Sequence, residues 1–533
     1  MEGSSALDNS ELAVRGLREL AGRISGSTLA GWAVVLLTGV TALKRLVGLD
    51  PASLWIDDTW VALAATHMSP AEILQLRVPT PVGFTSLLAL AARASDDPEW
   101  PLQLLPWIAS LLVVPFLYTL VYRLTSCRTS ALLGAALAAS NPLLATYSSR
   151  VKPYGTDLLI STSLLWLAVS LATNWNLRRV GILLACCAIA PFFSFPSVFL
   201  SLAIANALAI VSLTAEPRGT SQRREALLLA AGVNTAALAI ALTYLGPSSN
   251  PDLLWYWREY FPDTSSLGGW VEFFTTRYRE FLYQPFPFPA TLFVLILPFG
   301  LLRLWRQTTH RALALCLLLL QVGVISAAAL GRVPLGTGRT DIFSLSCFWV
   351  MACVGVAGLH FPLRLLFAAA ALFGLTQAAP ARYPEVADKQ TLTAVEERMR
   401  PSDGLLLYGQ ATWSAAYYGP WPFHFASGEW GHGYDVAFER EHTTQVPPRD
   451  DLLAKLIGSG PQRWFYVTVQ SDGKDAARLG RIMSAQGFRE TWWKGPERGA
   501  MAILFERGRD ETTGRSETSS GESGSIEGGS RSG

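Results

Sequence analysis

The chain has 533 residues, of which 50% are hydrophobic and 16% charged, with a formal net charge of +2 and a mean hydropathy of +0.29. Soluble domains carry about 25% charged residues, so the composition excludes an ordinary water-soluble enzyme, and no nucleic-acid partner is expected. The depletion of charge is concentrated between about 28 and 380, which marks a polytopic α-helical membrane protein.

Residues 1–27 are polar and carry Arg15, Arg18 and Arg23. They read as a cytoplasmic lead with an amphipathic helix over 11–24. No apolar leading segment is present, so a cleavable signal peptide is not expected. A first span covers about 28–48 and ends near Lys44 and Arg45. A first outer loop, 49–100, follows and contains Leu54-Trp55-Ile56-Asp57-Asp58-Thr59-Trp60. Within it, 79–92 is apolar but too short for a crossing and reads as re-entrant or interfacial. Further spans are expected at about 101–122, 129–146, 155–174, 180–194, 197–213, 226–245, 288–302, 312–330, 342–359 and 363–379. Together these make about eleven spans.

The charges test this count. Alternating loops hold Arg123 and Arg128, Arg178 and Arg179, Arg218, Arg223 and Arg224, Arg303, Arg306 and Arg311, and Arg364. All are short and basic, as cytoplasmic loops are. The arrangement holds only if 79–92 does not cross. It puts 49–100, 147–154, 247–287, 331–341 and everything after 380 outside. Lys44 and Arg45 run against it.

From Pro380 the composition is that of a soluble domain. Helices are expected at 392–399, 412–418 and 475–487, and strands at 404–408, 463–469 and 500–506. This alternation predicts a small α/β domain over 380–508. The tail 509–533 is rich in Gly, Ser, Glu and Thr and is expected to be disordered. The six cysteines lie in or beside spans, which suits apolar filler better than a disulfide framework. No His/Cys cluster has zinc-site spacing.

Four outer features can carry chemistry. Asp57 and Asp58 sit at a membrane face, where an ionisable pair is a functional candidate, a general base taking a proton from an acceptor. The bland reading is that Asp58 caps a helix and Asp57 is solvated. His67 is close enough in sequence to accompany them. Tyr147-Ser148-Ser149-Arg150-Val151-Lys152-Pro153-Tyr154 places two cations outside, where Arg150 and Lys152 suit a lipid phosphate or merely snorkel to headgroups. The 331–341 loop combines glycines with Arg332 and Arg339, as an anion site or a flexible turn. The aromatics Trp255, Tyr256, Trp257, Tyr260, Phe261, Trp270, Phe273, Phe274, Tyr278 and Tyr283 form a groove for a prenyl tail or sugar, or an interfacial belt. On one face, these features supply a base, a phosphate clamp and an apolar approach.

The order of motifs resembles the membrane glycosyltransferases of the GT-C fold. The residues that carry it are Leu54-Trp55-Ile56-Asp57-Asp58, Arg123-Leu124, and Asn141-Pro142 through Tyr147 to Tyr154. The relatives implied are the bacterial family 39-like enzymes, which include protein O-mannosyltransferases and lipid A aminoarabinose transferases. The resemblance covers about residues 28–180. It implies a polyprenyl-phosphate sugar donor, inverting transfer to a lipid, glycan or protein acceptor, and Asp57 as base. It also implies that the leaving phosphate is held by Arg150, Lys152 or Arg339; beside these, Arg332 is a donor-phosphate candidate and Tyr147, Tyr154 and His67 are substrate-binding candidates. Asp58 stands where the family usually has Glu. The fold carries no fixed cofactor, since its members differ in their use of a divalent metal.

The implied location is the cytoplasmic membrane, with the N-terminus inside and the C-terminal domain outside. A transporter or flippase would instead show internal repeats, broken helices at the midplane and charges within spans. No repeat is evident, and the polar features are in loops. A non-catalytic family member is another alternative, and an O-antigen-type ligase or polymerase, which would share the membrane setting and lipid donors but use different loops, is the last.

Overall fold

Backbone in lipid has no water to satisfy it, so apolar stretches close their hydrogen bonds as helices. In the computed structural model, the described residues are 28–49, 54–76, 78–214, 219–245, 256–287, 289–377, 388–427, 434–447, 449–469, 474–497 and 500–508. The helix expected at 11–24, Trp255 and the tail after 508 lie outside them.

The first span is α1 (Thr28–Leu46). The outer loop that follows folds into α2 (Ile56–His67), α3 (Pro70–Gln75) and α4 (Val82–Ala92). Then come α5 (Glu99–Thr125), α6 (Arg128–Ser140), α7 (Pro142–Tyr147), α8 (Tyr154–Thr173), α9 (Leu177–Ile189), α10 (Ser197–Thr214) and α11 (Thr220–Ile240). The long aromatic loop contains α12 (Leu267–Phe273) and α13 (Arg279–Tyr283), and α14 (Ala290–Arg306), α15 (Arg311–Ala329), α16 (Leu345–Ala357) and α17 (Phe361–Gln377) complete the set.

Every expected span thus has a helix, but among the described residues 6 are both long and apolar enough to cross a membrane: α1, α5, α8, α10, α11 and α15. The remainder are shorter or broken, for local reasons. The span expected at 129–146 divides at Asn141-Pro142, because Pro142 has no N–H to give the Ala138 carbonyl. The Asn141 side chain caps α7 by accepting from the Leu144 N–H at 2.9 Å. α4 has 11 residues, about 16 Å of helix against a hydrocarbon core of about 30 Å.

The two charges that broke the topology pattern are structural. Arg45 is 1% exposed and donates to the Ser110 carbonyl at 3.0 Å and to the Ala138 carbonyl at 2.9 Å. The second is the acceptor orphaned by Pro142. Lys44 donates to the Leu375 carbonyl in the last turn of α17, where helical acceptors have no intrahelical partner. These cations tie α1 to its neighbours and do not reach for headgroups.

After α18 (Asp388–Glu396) the outer domain alternates β1 (Gly404–Tyr408), α19 (Ala411–Tyr418), β2 (Phe423–Ser427), β3 (Tyr434–Phe438), β4 (Thr443–Gln445), α20 (Asp450–Ser459), β5 (Arg463–Val469), α21 (Lys474–Ala485), β6 (Phe488–Glu497) and β7 (Ala500–Arg507). One sheet runs in the order β4-β1-β5-β7-β6, with β1 parallel to β4 and β5, and β7 antiparallel to β5 and β6. Strand side chains alternate between faces. Leu405, Leu407, Phe465, Val467, Ala502 and Leu504 pack with Leu392 and Val395 of α18 and Ala411 and Ala415 of α19. Leu406, Trp464, Tyr466, Ile503 and Phe505 pack with Leu453 and Ile457 of α20 and Leu479 and Met483 of α21. The result is a three-layer α/β sandwich.

The β2–β3 hairpin is not part of that sheet. Its Val436, with Trp413 and Ala416 of α19, joins the apolar cluster formed by Val61, Leu63 and Ala64 of α2 with Phe84 and Leu88 of α4. The outer domain is therefore seated on the helices of the first outer loop.

Candidate active site

The site is assembled at the start of α2. Trp55 is the N-cap residue, with extended backbone and no side-chain cap. Its carbonyl accepts from the Asp58 N–H at 2.7 Å and the Thr59 N–H at 3.1 Å. Asp58 is not the cap that its position before Thr59 suggests. Asp57 and Asp58 both lie in the first turn, where the helix dipole favours carboxylates. Consecutive helical residues point about 100° apart, and this separates the two.

Asp57 accepts from Arg339 Nη1 at 3.2 Å, with the two side chains 22% and 17% exposed. Asp58 faces the protein interior at 2% exposure and pairs with Arg150 Nη1 at 3.5 Å. Burial raises the Asp58 pKa, and the charges of Arg150 and Lys152 oppose that rise.

Arg150 and Lys152 follow α7 in a tight turn, in which the Lys152 N–H donates to the Arg150 carbonyl at 2.7 Å. They are 8% and 7% exposed, so neither snorkels. The Arg150 guanidinium lies 4.6 Å from the Trp55 ring centre and Lys152 Nζ 3.8 Å from that of Trp60. The two tryptophans flanking the acidic pair are cation platforms. Burial pushes the Lys152 pKa down to about 8, against the opposing pull of Asp57 and Asp58. The rings of Tyr147 and Tyr154 meet edge to face at 4.9 Å in the same region.

Arg339 is delivered by the 331–341 loop. Gly336 and Gly338 have φ of +77° and +72°, a region closed to most side chains. A Cβ at Gly336 would also meet the Arg277 carbonyl oxygen at 2.5 Å. The loop folds around Asp341, which is 2% exposed. Asp341 accepts from the Gly336 N–H at 2.8 Å and from Thr337 Oγ1 at 3.4 Å. Burial pushes its pKa up to about 6. Thr337 Oγ1 also accepts from the Arg339 N–H at 3.1 Å. The loop is an ordered turn with a buried anchor. The Arg339 guanidinium lies 4.5 Å from the Trp257 ring centre and donates to the Tyr256 hydroxyl at 3.4 Å.

The cleft has a volume of about 490 Å³ and takes its walls from all four outer segments, with Trp55, Tyr147, Tyr256, Trp257, Thr337 and Arg339 among its lining. Its wall is aromatic and carries Arg258, Glu259 and Arg339, and through Arg339 and Trp55 it adjoins Asp57 and the buried Asp58–Arg150 pair. Such a site can hold an anion, stack a ring and accept a proton.

Two residues expected at the site are elsewhere. His67 is exposed at the far end of α2, about 15 Å along the helix axis from Asp57. Its ring bonds Thr66 Oγ1 at 2.8 Å and lies 5.4 Å from that of Phe423. Nearness in sequence misleads because α2 is one continuous helix. Arg332 is exposed and does not line the cleft. Its N–H closes the turn after α15 on the Ala327 carbonyl at 2.8 Å, seven residues before Arg339. Thr337 and Tyr418 (discussed below) carry no signal in their own sequence context. Among the described residues, no three His, Cys, Asp or Glu side chains converge to hold a metal ion. The carboxylates of the site face guanidinium groups, and the donor set does not fit a resident cation.

The chain has the apolar helices of a multi-pass membrane protein and a small C-terminal α/β domain, and its fold is the GT-C fold. The structure is similar to ArnT from Cupriavidus metallidurans in the apo state, at TM-score 0.56 and 13% identity, over 89% of this chain and 98% of that one. It matches ArnT bound to undecaprenyl phosphate at TM-score 0.56, 12% identity and the same coverage. The Archaeoglobus fulgidus oligosaccharyltransferase, in complex with Zn and sulfate, aligns more loosely, at TM-score 0.46 and 11% identity, over 88% of this chain and 72% of that one. No protein-family model and no curated protein sequence matches the chain.

Proposed function

We infer that this protein transfers a sugar from a polyprenyl-phosphate donor to an acceptor at the outer face of the cytoplasmic membrane. The N-terminus is then cytoplasmic and the 380–508 domain outside. The observation that carries the reading is the Asp57–Arg339 pair at 3.2 Å, whose Arg339 lines an aromatic cleft. It sets a carboxylate beside a phosphate-binding cation. The undecaprenyl phosphate bound by ArnT, which shares the fold, supports a lipid donor of this class.

In this mechanism Arg339, Lys152 and Arg150 hold the donor phosphate, which draws Arg339 from Asp57. Asp57 takes the proton from an acceptor hydroxyl or amine as that atom attacks the anomeric carbon. The bond from that carbon to the phosphate oxygen breaks, and polyprenyl phosphate leaves with the electron pair. The cations stabilise the developing charge, and the anomeric configuration inverts. Tyr147, Tyr256 and Trp257 offer faces for the sugar ring. Asp58 stays paired with Arg150 and supports the turn that carries Asp57.

The test is incubation of the purified protein with a panel of labelled polyprenyl-phosphate sugars and candidate lipid, glycan and peptide acceptors. Transfer of one label, lost in Asp57→Asn, is expected. Failure to move any label would count against the reading, as would full transfer by Asp57→Asn.

A further inference from the structure

The base rests on a helix whose entry is held from the other end of the chain. Leu54 is 1% exposed, and a buried backbone N–H needs a partner. The Leu54 N–H donates to the Tyr418 hydroxyl at 2.6 Å, across 364 residues. Leu54 immediately precedes Trp55, the N-cap of α2. Trp55 itself packs against the core of the outer domain while its ring supports Arg150. The position of Asp57, in the first turn, therefore depends on where Tyr418 holds the chain.

Tyr418 is in turn fixed to the membrane helices. It ends α19, whose Ser414 hydroxyl donates to the buried Asp388 of α18 at 2.6 Å. The next residue, Lys389, pairs with Glu99 at the start of α5 at 2.8 Å and lies 5.7 Å from the Tyr418 ring centre. A chain of polar contacts thus runs from α5, through α18 and α19, to the residue before the α2 cap.

We propose that Tyr418 is a positioning residue for the transfer reaction, through which the outer domain sets Asp57 against the acceptor. The proposal rests on the reading of Asp57 as base. Donor phosphate contacts come from other segments, so the effect falls on turnover and not on donor affinity. Misplacement of a reacting group by about 1 Å costs up to about a hundredfold in rate.

The experiment compares Tyr418→Phe with Tyr417→Phe in the full-length protein. The Tyr417 hydroxyl is buried and makes no hydrogen bond among the described residues, so it serves as the matched control. Label transfer is measured against donor and acceptor concentration, with Tm in detergent alongside. Tyr418→Phe is expected to lower kcat about tenfold or more, with donor KM within about twofold and Tm close to that of Tyr417→Phe. Tyr417→Phe is expected to keep kcat. Normal kcat in Tyr418→Phe overturns the proposal. So does an equal loss in both variants, or a loss that only tracks lowered Tm. Full turnover in Asp57→Asn overturns the base reading instead, and that variant distinguishes the two failures.

Discussion

The two sides of the first turn of α2 make a natural comparison. On the cleft side, Asp57 and Arg339 are joined at 3.2 Å and remain partly in solvent. On the inner side, Asp58 and Arg150 are joined at 3.5 Å and are almost wholly buried. A pair that keeps part of its solvation loses less on separation than a buried one, so its partners can exchange for a substrate at lower cost. A buried pair resists loss of either partner, at about 3–5 kcal/mol. Adjacent carboxylates therefore divide into a reactive one and a structural one.

The largest effect expected from that division is on turnover. Asp57→Asn should lower transfer by about 10²–10⁴-fold with donor binding and Tm near normal, measured by label transfer and thermal unfolding. Asp58→Asn should invert the pattern, losing about 3–5 kcal/mol of stability because Arg150 stays buried without its countercharge. An apolar pair such as Asp58→Leu with Arg150→Met should recover much of that loss. If Asp57→Asn proved the less stable of the two single variants, the comparison would be wrong.

Arg339→Ala should raise donor KM about tenfold or more, the scale of a hydrogen bond to a charged group, while acceptor KM stays within about twofold. Equal rises in both would remove Arg339 from the phosphate. Lys152 makes a pH test. Its folded pKa is about 8, below its ordinary 10.5, so its charge is present below about 8 and lost above. Its contribution to stability has the matching sign. It is present above 10.5 and lost as pH falls through about 8, because burying the charged form is costly. The donor kcat/KM should therefore fall as pH rises through about 8. Lys152→Arg should hold it flat through that window, and a fall that persists there would assign the limb to another group. The smallest effects are expected at His67→Ala and Arg332→Ala, each within about twofold in kcat and KM. A tenfold change in either would return that residue to the site.

The segments that pattern alone delineates are those ruled by local chemistry. β1 at 404–408 and the 463–469 strand carry apolar residues on both faces and fall where their composition puts them. Each expected span has a helix. The β2–β3 hairpin and β4 were not legible. Phe423-His424-Phe425 and Tyr434-Asp435-Val436 alternate over three residues each, too short a run to mark a strand, and what stabilises them is the apolar surface of α2 and α4. The site was legible in part. The pairing of Asp57 with Arg339 and of Asp58 with Arg150 was not, because adjacent residues on a helix diverge according to where the turn begins. Lys44 and Arg45 run against the charge pattern until Lys44 is seen on the Leu375 carbonyl and Arg45 on the Ala138 carbonyl that Pro142 leaves without a donor.

The amino-acid sequence by itself determined the membrane class, the approximate course of the helices, the small C-terminal α/β domain and the polar segments between the helices, because each follows from periodicity, length and charge within one stretch of chain. Only the tertiary structure decided which carboxylate meets Arg339, which cations are buried on the tryptophans, that His67 and Arg332 lie apart, and that Tyr418 bonds the entry to α2. Those outcomes depend on contacts between residues hundreds apart, where burial and geometry, not local pattern, set the partner.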